Sequence, residues 1–148
     1  MIQDVKNTLL KDVAALRREV EQYPDDASLW RLQPGIANPG GNLALHLAGN
    51  LQFFIGAQLG HSGYLRDRDR EFTARDLDRT QVLQEIDAAA KAVDETLSSL
   101  DPGVLEQTFP VAIGGHHIGT RSILIHLCSH LAYHLGQINY HRRLAAGI

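Results

Sequence analysis

The sequence predicts an all-α fold: a four-helix bundle with long crossover connections. Two observations lead there. Four stretches repeat apolar residues at three- and four-residue steps, and proline- and glycine-rich segments separate them. A weaker alternation of apolar residues over 107–119 adds a short β-hairpin before the last helix.

Taken in order, residues 4–22 make the first helix. Val5, Leu9, Val13, Leu16 and Val20 form its apolar stripe, and Tyr23-Pro24-Asp25-Asp26 stops it. Residues 24–40 are a connection with turn signals at Pro34-Gly35 and Pro39-Gly40-Gly41, and a helical turn fits Ala27 to Leu32. The second helix runs from about Gly41 to Leu59. It is apolar nearly all round, as expected of a helix covered on more than one side, and a second subunit is the expected cover of its outer face. Residues 60–79, with the alternating run Arg66-Asp67-Arg68-Asp69-Arg70-Glu71, read as a solvated loop. The third helix spans about Thr80 to Leu100, with Val82, Leu83, Ile86, Ala89, Ala90, Val93 and Leu97 inward. Asp78 and Gln81 resemble a capping box. The hairpin turns at Gly114-Gly115, and Thr120 is the expected N-cap of a fourth helix that ends near Leu144.

Composition bounds the function. A chain of 148 residues with 44% apolar and 21% charged residues reads as one globular domain over 1–148. A formal charge of −3 argues against a nucleic-acid binder, and no run approaches the ~20 apolar residues of a membrane span. The amino terminus lacks the apolar run of a signal peptide. The one cysteine, Cys128, allows no internal disulfide, so a reducing cytoplasm is the expected compartment. Cys128 itself reads as a core thiol, turned away from the neighbouring histidines.

The chemistry concentrates in the fourth helix, which holds four of the eight histidines. His126, His130, His134 and His141 fall within roughly 80° of one face, and His130 and His134 are neighbours on successive turns. Two imidazoles at that spacing can grip one metal ion, although Leu131-Ala132-Tyr133 between them supplies no glutamate base. No acid occurs from Ala27 to Arg66 or from Gln107 onward, which disfavours a carboxylate-bridged di-iron site. His46 is the candidate third ligand. It lies among leucines, where a polar ring needs a partner, and its own helix offers no acid. Three neutral histidines leave a divalent cation its full charge and one position for water or a thiolate.

Asn50, four residues after His46, and Gln137, three after His134, are candidates to hydrogen-bond a ligand ring or a bound water. His126 is expected to line the pocket or to pack, with a fourth-ligand role as the alternative. His141 is expected at the surface, His61 exposed, and His116 and His117 in the loop or at the rim of the site. Tyr133 and Tyr140 are expected in packing or an interface. Arg121, Arg142 and Arg143 are expected to be solvated, with an anionic substrate as their alternative partner.

Three stretches carry a resemblance. They are Asn42-Leu43-Ala44-Leu45-His46-Leu47-Ala48-Gly49-Asn50-Leu51, then Arg66-Asp67-Arg68-Asp69-Arg70-Glu71-Phe72, then His130-Leu131-Ala132-Tyr133-His134-Leu135-Gly136-Gln137-Ile138. Together they resemble the DinB-like (YfiT-like) superfamily of metal-dependent enzymes, in a branch with no assigned function. The resemblance implies a four-helix bundle, often a homodimer, with zinc or nickel on a three-histidine motif that maps onto His46, His130 and His134. Some relatives use low-molecular-weight thiols such as bacillithiol or mycothiol as S-transferases or isomerases, and others are regarded as hydrolases. The expected function is therefore a metal-dependent enzyme for a small-molecule substrate, a thiol S-transferase or a hydrolase. The alternative is a non-enzymatic dimeric module that binds a metal or small ligand.

Overall fold

Apolar periodicity becomes core. In the computed structural model, which describes residues 1–147, helix α1 (Ile2–Glu21) buries Val5, Leu9, Val13, Leu16 and Val20, the stripe its sequence selects. After α2 (Asp26–Leu29) come α3 (Gly40–Leu51), α4 (Arg68–Thr73), α5 (Arg79–Ser99) and α6 (Thr120–Ala145). Helix α5 buries Val82, Ile86, Ala89, Val93 and Leu97, while Leu83 and Ala90 are half-buried. Burying each such aliphatic side chain is worth about 1.5–3 kcal/mol.

Four long helices, α1, α3, α5 and α6, make the bundle, and their directions follow from the pairs that join them. Lys6 meets Asp94 and Arg17 meets Asp87, so α1 and α5 are antiparallel. Met1 meets Arg121 at one end and Glu19 meets Arg142 at the other, so α1 and α6 are parallel. His46 lies against His130 and Gly40 against His141, so α3 and α6 are antiparallel. Gln52 meets Glu85 and Gly56 lies beside Ala92, so α3 and α5 are parallel. The order along the chain is up, down, down, up, which a simple up-and-down bundle does not have.

This topology decides what covers α3. Because α3 and α5 point the same way, residues 58–78 must climb back along the bundle, and on the way they lay α4 against α3. All twelve residues of α3 are buried. The cover of its outer face is thus this chain's own crossover, not the second subunit that its all-round apolarity led us to expect. Residues 60–79 are likewise not simply a solvated loop: Glu71 and Ala74 are buried and Arg66 is half-buried. Alternating charge marks a solvated face only if no buried polar group needs one of the charges, and here one does.

The helix ends differ in how well local chemistry announces them. The Asp78–Gln81 capping box forms as predicted. Helix α6 begins at Thr120 with Gly119 as its N-cap, and the Thr120 hydroxyl is buried without a partner rather than capping. Helix α3 does not run on as an α-helix to Leu59. It widens into a π-helix over Gln52–Ala57, with Gln58 N–H bonding Phe53 C=O and Gly60 N–H bonding Ile55 C=O, both at 3.0 Å. A 3₁₀ turn, Pro102–Glu106, follows α5. The hairpin is reduced to two isolated bridges, Thr108 with Gly119 and Ile113 with His116. Gly114 and Gly115 turn it with φ of 56° and 79°, the two positive values that such a two-residue turn requires. Among the described residues no helix is long and apolar enough to cross a membrane.

Candidate metal centre

The antiparallel crossing of α3 and α6 brings His46 against His130 and His134. Their ring centroids are 5.0 Å apart for His46 and His130, 5.2 Å for His46 and His134, and 4.7 Å for His130 and His134. One nitrogen from each ring lies within 4.8 Å of the others. The three histidines chosen from spacing therefore do converge.

Their outer hydrogen bonds fix which nitrogen faces inward. His46 is 6% exposed and donates from Nδ1 to Glu71 Oε1 at 3.0 Å. Glu71, 5% exposed, is clamped on both oxygens by Arg66: Nε to Oε2 at 2.9 Å and Nη2 to Oε1 at 2.9 Å. Burial would push this carboxyl upward. Bonds from His46 and Arg66 overcome that and hold it below the usual carboxylate range. Glu71 thus stays ionised, and His46 presents a bare Nε2. His134 Nδ1 donates to Gln137 Oε1 at 2.6 Å, which leaves its Nε2 bare too. His46 Nε2 then sits 3.1 Å from His130 Nε2. A neutral His130 with its proton on Nε2 donates to His46 at that distance, and a cation between the two would take both lone pairs. His130 Nδ1 is buried with no hydrogen-bond partner. Burial, and then the neighbouring histidines, lower His130 to about 4, and burial lowers His134 as well, so both rings are neutral at pH 7.

The sequence reading misses Glu71 and Arg66. The setting of His46 is not free of carboxylates: an acid arrives from α4, 25 residues away in the chain. Asp67 starts that helix by accepting from the Arg70 N–H at 3.1 Å, and Asn42 ties it down through Glu71 C=O and Ala74 C=O, both at 2.9 Å. Gly49 makes room for it, since a Cβ there would overlap the Glu71 carboxylate. The available signal was a mid-core histidine with no acid on its own helix, which called for one from elsewhere.

The other candidates separate cleanly. Gln137 accepts from the His134 ring. Asn50 does not: its Oδ1 is buried without a partner, in the wall of a cavity of about 210 Å³ beside His46 and His130. His126 lines that cavity, its ring 5.8 Å from that of His130, and Ile113 of the hairpin closes one side. His116, His117 and His61 are exposed, and neither His116 nor His117 lines the cavity. His141 is not at the surface. It is 1% exposed, with Nδ1 accepting from Tyr23 Oη at 2.8 Å and the Gly40 N–H at 3.1 Å while Nε2 donates to Arg31 C=O at 2.8 Å. Tyr133 and Tyr140 are 66% and 71% exposed, so packing within the chain is not their role. Arg142 is half-buried against Glu19 rather than solvated, Arg121 pairs with Glu106, and Arg143 is exposed. Cys128 is half-buried, and burial raises its thiol. A larger depression, about 480 Å³, lies over Gly35–Asn38 and the Tyr133–His141 stretch of α6, away from the inward nitrogens.

Matching three imidazoles from two helices, backed by a buried carboxylate, is an arrangement that can hold a divalent cation by nitrogen and leave room beside it. Comparison with curated proteins finds no match. A family model described as "Protein of unknown function (DUF1572)" matches residues 1–146, and the chain belongs to that family.

Proposed function

We propose that the protein is a metal-dependent enzyme of the DinB-like (YfiT-like) type, in which His46, His130 and His134 hold one zinc or nickel ion and leave a position open toward the 210 Å³ cavity. The observation that carries this reading is the 3.1 Å approach of His46 Nε2 to His130 Nε2 with Glu71 behind the first ring. Two ligands at 2.0–2.1 Å in a tetrahedral site stand about 3.3 Å apart, so His46 and His130 need almost no movement, and His134 lies close enough to join them. A divalent cation held there supplies Lewis acidity that lowers the pKa of a water or thiol joining it.

The chain's own residues do the rest. Glu71 and Gln137 hold the imidazoles in the tautomer that points Nε2 inward. Glu71 takes no proton from a substrate, because His46 and Arg66 occupy both its oxygens. His126, in the cavity wall, is the group placed to accept one. No acid lines the cavity, which favours transfer of a low-molecular-weight thiol to an electrophile over hydrolysis that needs a carboxylate base. The reading includes a small-molecule substrate, a reducing cytoplasm, a homodimer, and no nucleic-acid partner.

The second reading, a non-enzymatic dimeric metal- or ligand-binding module, draws on the exposed Tyr133 and Tyr140 of α6, an apolar face suited to another copy. Protein purified without a histidine tag is expected to carry about one zinc or nickel per chain and to conjugate a thiol to monochlorobimane only until chelated. Bound metal with no conjugation or hydrolysis of model esters favours the module. Absence of any bound metal contradicts both readings.

A further inference from the structure

The cavity beside the histidines has a charge pattern of its own. Arg66 and Arg68 both line it, and no acid does. Arg66 is matched by Glu71. Arg68 is not matched: its guanidinium lies over the Phe72 ring at 5.1 Å and makes no ion pair among the described residues. The two acids that flank it are otherwise placed. Asp67 accepts from the Arg70 N–H, and neither Asp67 nor Asp69 lines the cavity. Phe72 in turn packs on His46 with ring centroids 4.7 Å apart, tilted by 39°.

Much of the remaining wall is apolar, made by Phe54, Ile113, Ile123 and Leu127. The imidazoles of His46, His126 and His130 and the amide of Asn50 interrupt it. Asn50 is 7% exposed, and its Oδ1 is buried without a partner. At about 210 Å³ the space is below the range usual for drug-sized ligands.

We propose that this cavity binds a small monocarboxylate with a short apolar body. Its carboxylate pairs with Arg68. The proposal names the substrate class of the site described above and rests on that reading only for the direction of the reacting end, which faces the histidines. Charge and apolar wall define the rest without a metal.

The test compares ligands that differ by one charge. N-acetylcysteine and its neutral amide are titrated into zinc-treated protein, and N-acetylalanine and its amide into EDTA-treated protein, with binding followed by NMR. Each acid is expected to bind about tenfold tighter than its amide. In Arg68→Gln, an exposed position, the difference is expected to vanish while the helical circular dichroism stays unchanged. Equal binding of acid and amide to the natural protein, a preference that survives Arg68→Gln, or no binding of either pair overturns the proposal. If zinc fails to bind but the N-acetylalanine pair keeps its Arg68-dependent preference, the metal reading falls and this one stands.

Discussion

Two histidines at the α3–α6 contact, His46 and His141, are both buried, and they do opposite things. His141 sits at the end of α6 with every nitrogen satisfied: Tyr23 and Gly40 on one, Arg31 on the other. Nothing is left over, so its work is to pin α6 to the residues before α3. His46 has one nitrogen satisfied by Glu71 and the other aimed at His130. Burial is similar in the two, so what sets them apart is the partner of the second nitrogen, a backbone carbonyl for His141 and another imidazole for His46. The second nitrogen of His46 meets another titratable ring instead of a backbone group, and a cation can displace the proton shared there.

The sharpest break between the two comes from removing each ring. In His46→Ala, and equally in His130→Ala or His134→Ala, metal content by elemental analysis is expected to drop from about one per chain to none, with the fold retained. His141→Phe is expected to do the reverse. Metal content stays, while urea unfolding shows a loss of about 2–4 kcal/mol from three backbone and side-chain groups left without partners. If His141→Phe also empties the protein of metal without unfolding it, the two histidines are not separable in this way.

Next in size is the carboxylate. Glu71→Gln keeps the shape but weakens the hold on His46 Nδ1–H and leaves Arg66 uncompensated. Zinc affinity is expected to fall about 10–100-fold, read by competition with a chelating dye. An unchanged affinity would show that Glu71 serves packing alone.

The contrast has a pH signature too. In metal-free protein burial lowers His130 to about 4, and burial lowers His134 and His141 as well. In the unfolded chain these rings return to about 6.5 and bind more protons over that interval, so stability falls as pH drops from about 6.5 toward 4. Glu71, held below its ordinary range, adds loss in the same direction at the acid end. The urea midpoint is expected to be lower at pH 5 than at pH 7.5, and added zinc should widen the gap, because the ligands must be deprotonated. A flat profile would mean that these rings are no more buried than in the unfolded chain. The smallest expected effect is that of Gln137→Ala, a severalfold loss of zinc affinity. The position is exposed, and water can replace the amide at His134 Nδ1.

These expectations also mark how far the sequence alone reaches. The stripes of α1 and α5 were legible because an amphipathic helix writes its buried face into a fixed period. The three-histidine convergence was legible because i, i+4 spacing forces His130 and His134 together and His46 was too polar for its leucines. Glu71 was not legible as a partner, since the contact spans 25 residues and depends on the crossover climbing α3, which no local pattern encodes. His141 was misplaced for the same kind of reason: its partners, Tyr23, Arg31 and Gly40, come from the far side of the chain. The π-helix at Gln52–Ala57 leaves no periodic trace in six residues.

Everything functional here depends on three imidazoles sharing one ion, and X-ray absorption at the metal edge of untagged, zinc-bound protein tests that most directly. The account predicts three imidazole nitrogens at about 2.0–2.1 Å, with their ring multiple-scattering pattern, plus one further light atom or sulfur from outside the chain. A first shell with fewer than three imidazoles, or the same shell in His46→Ala, would contradict it.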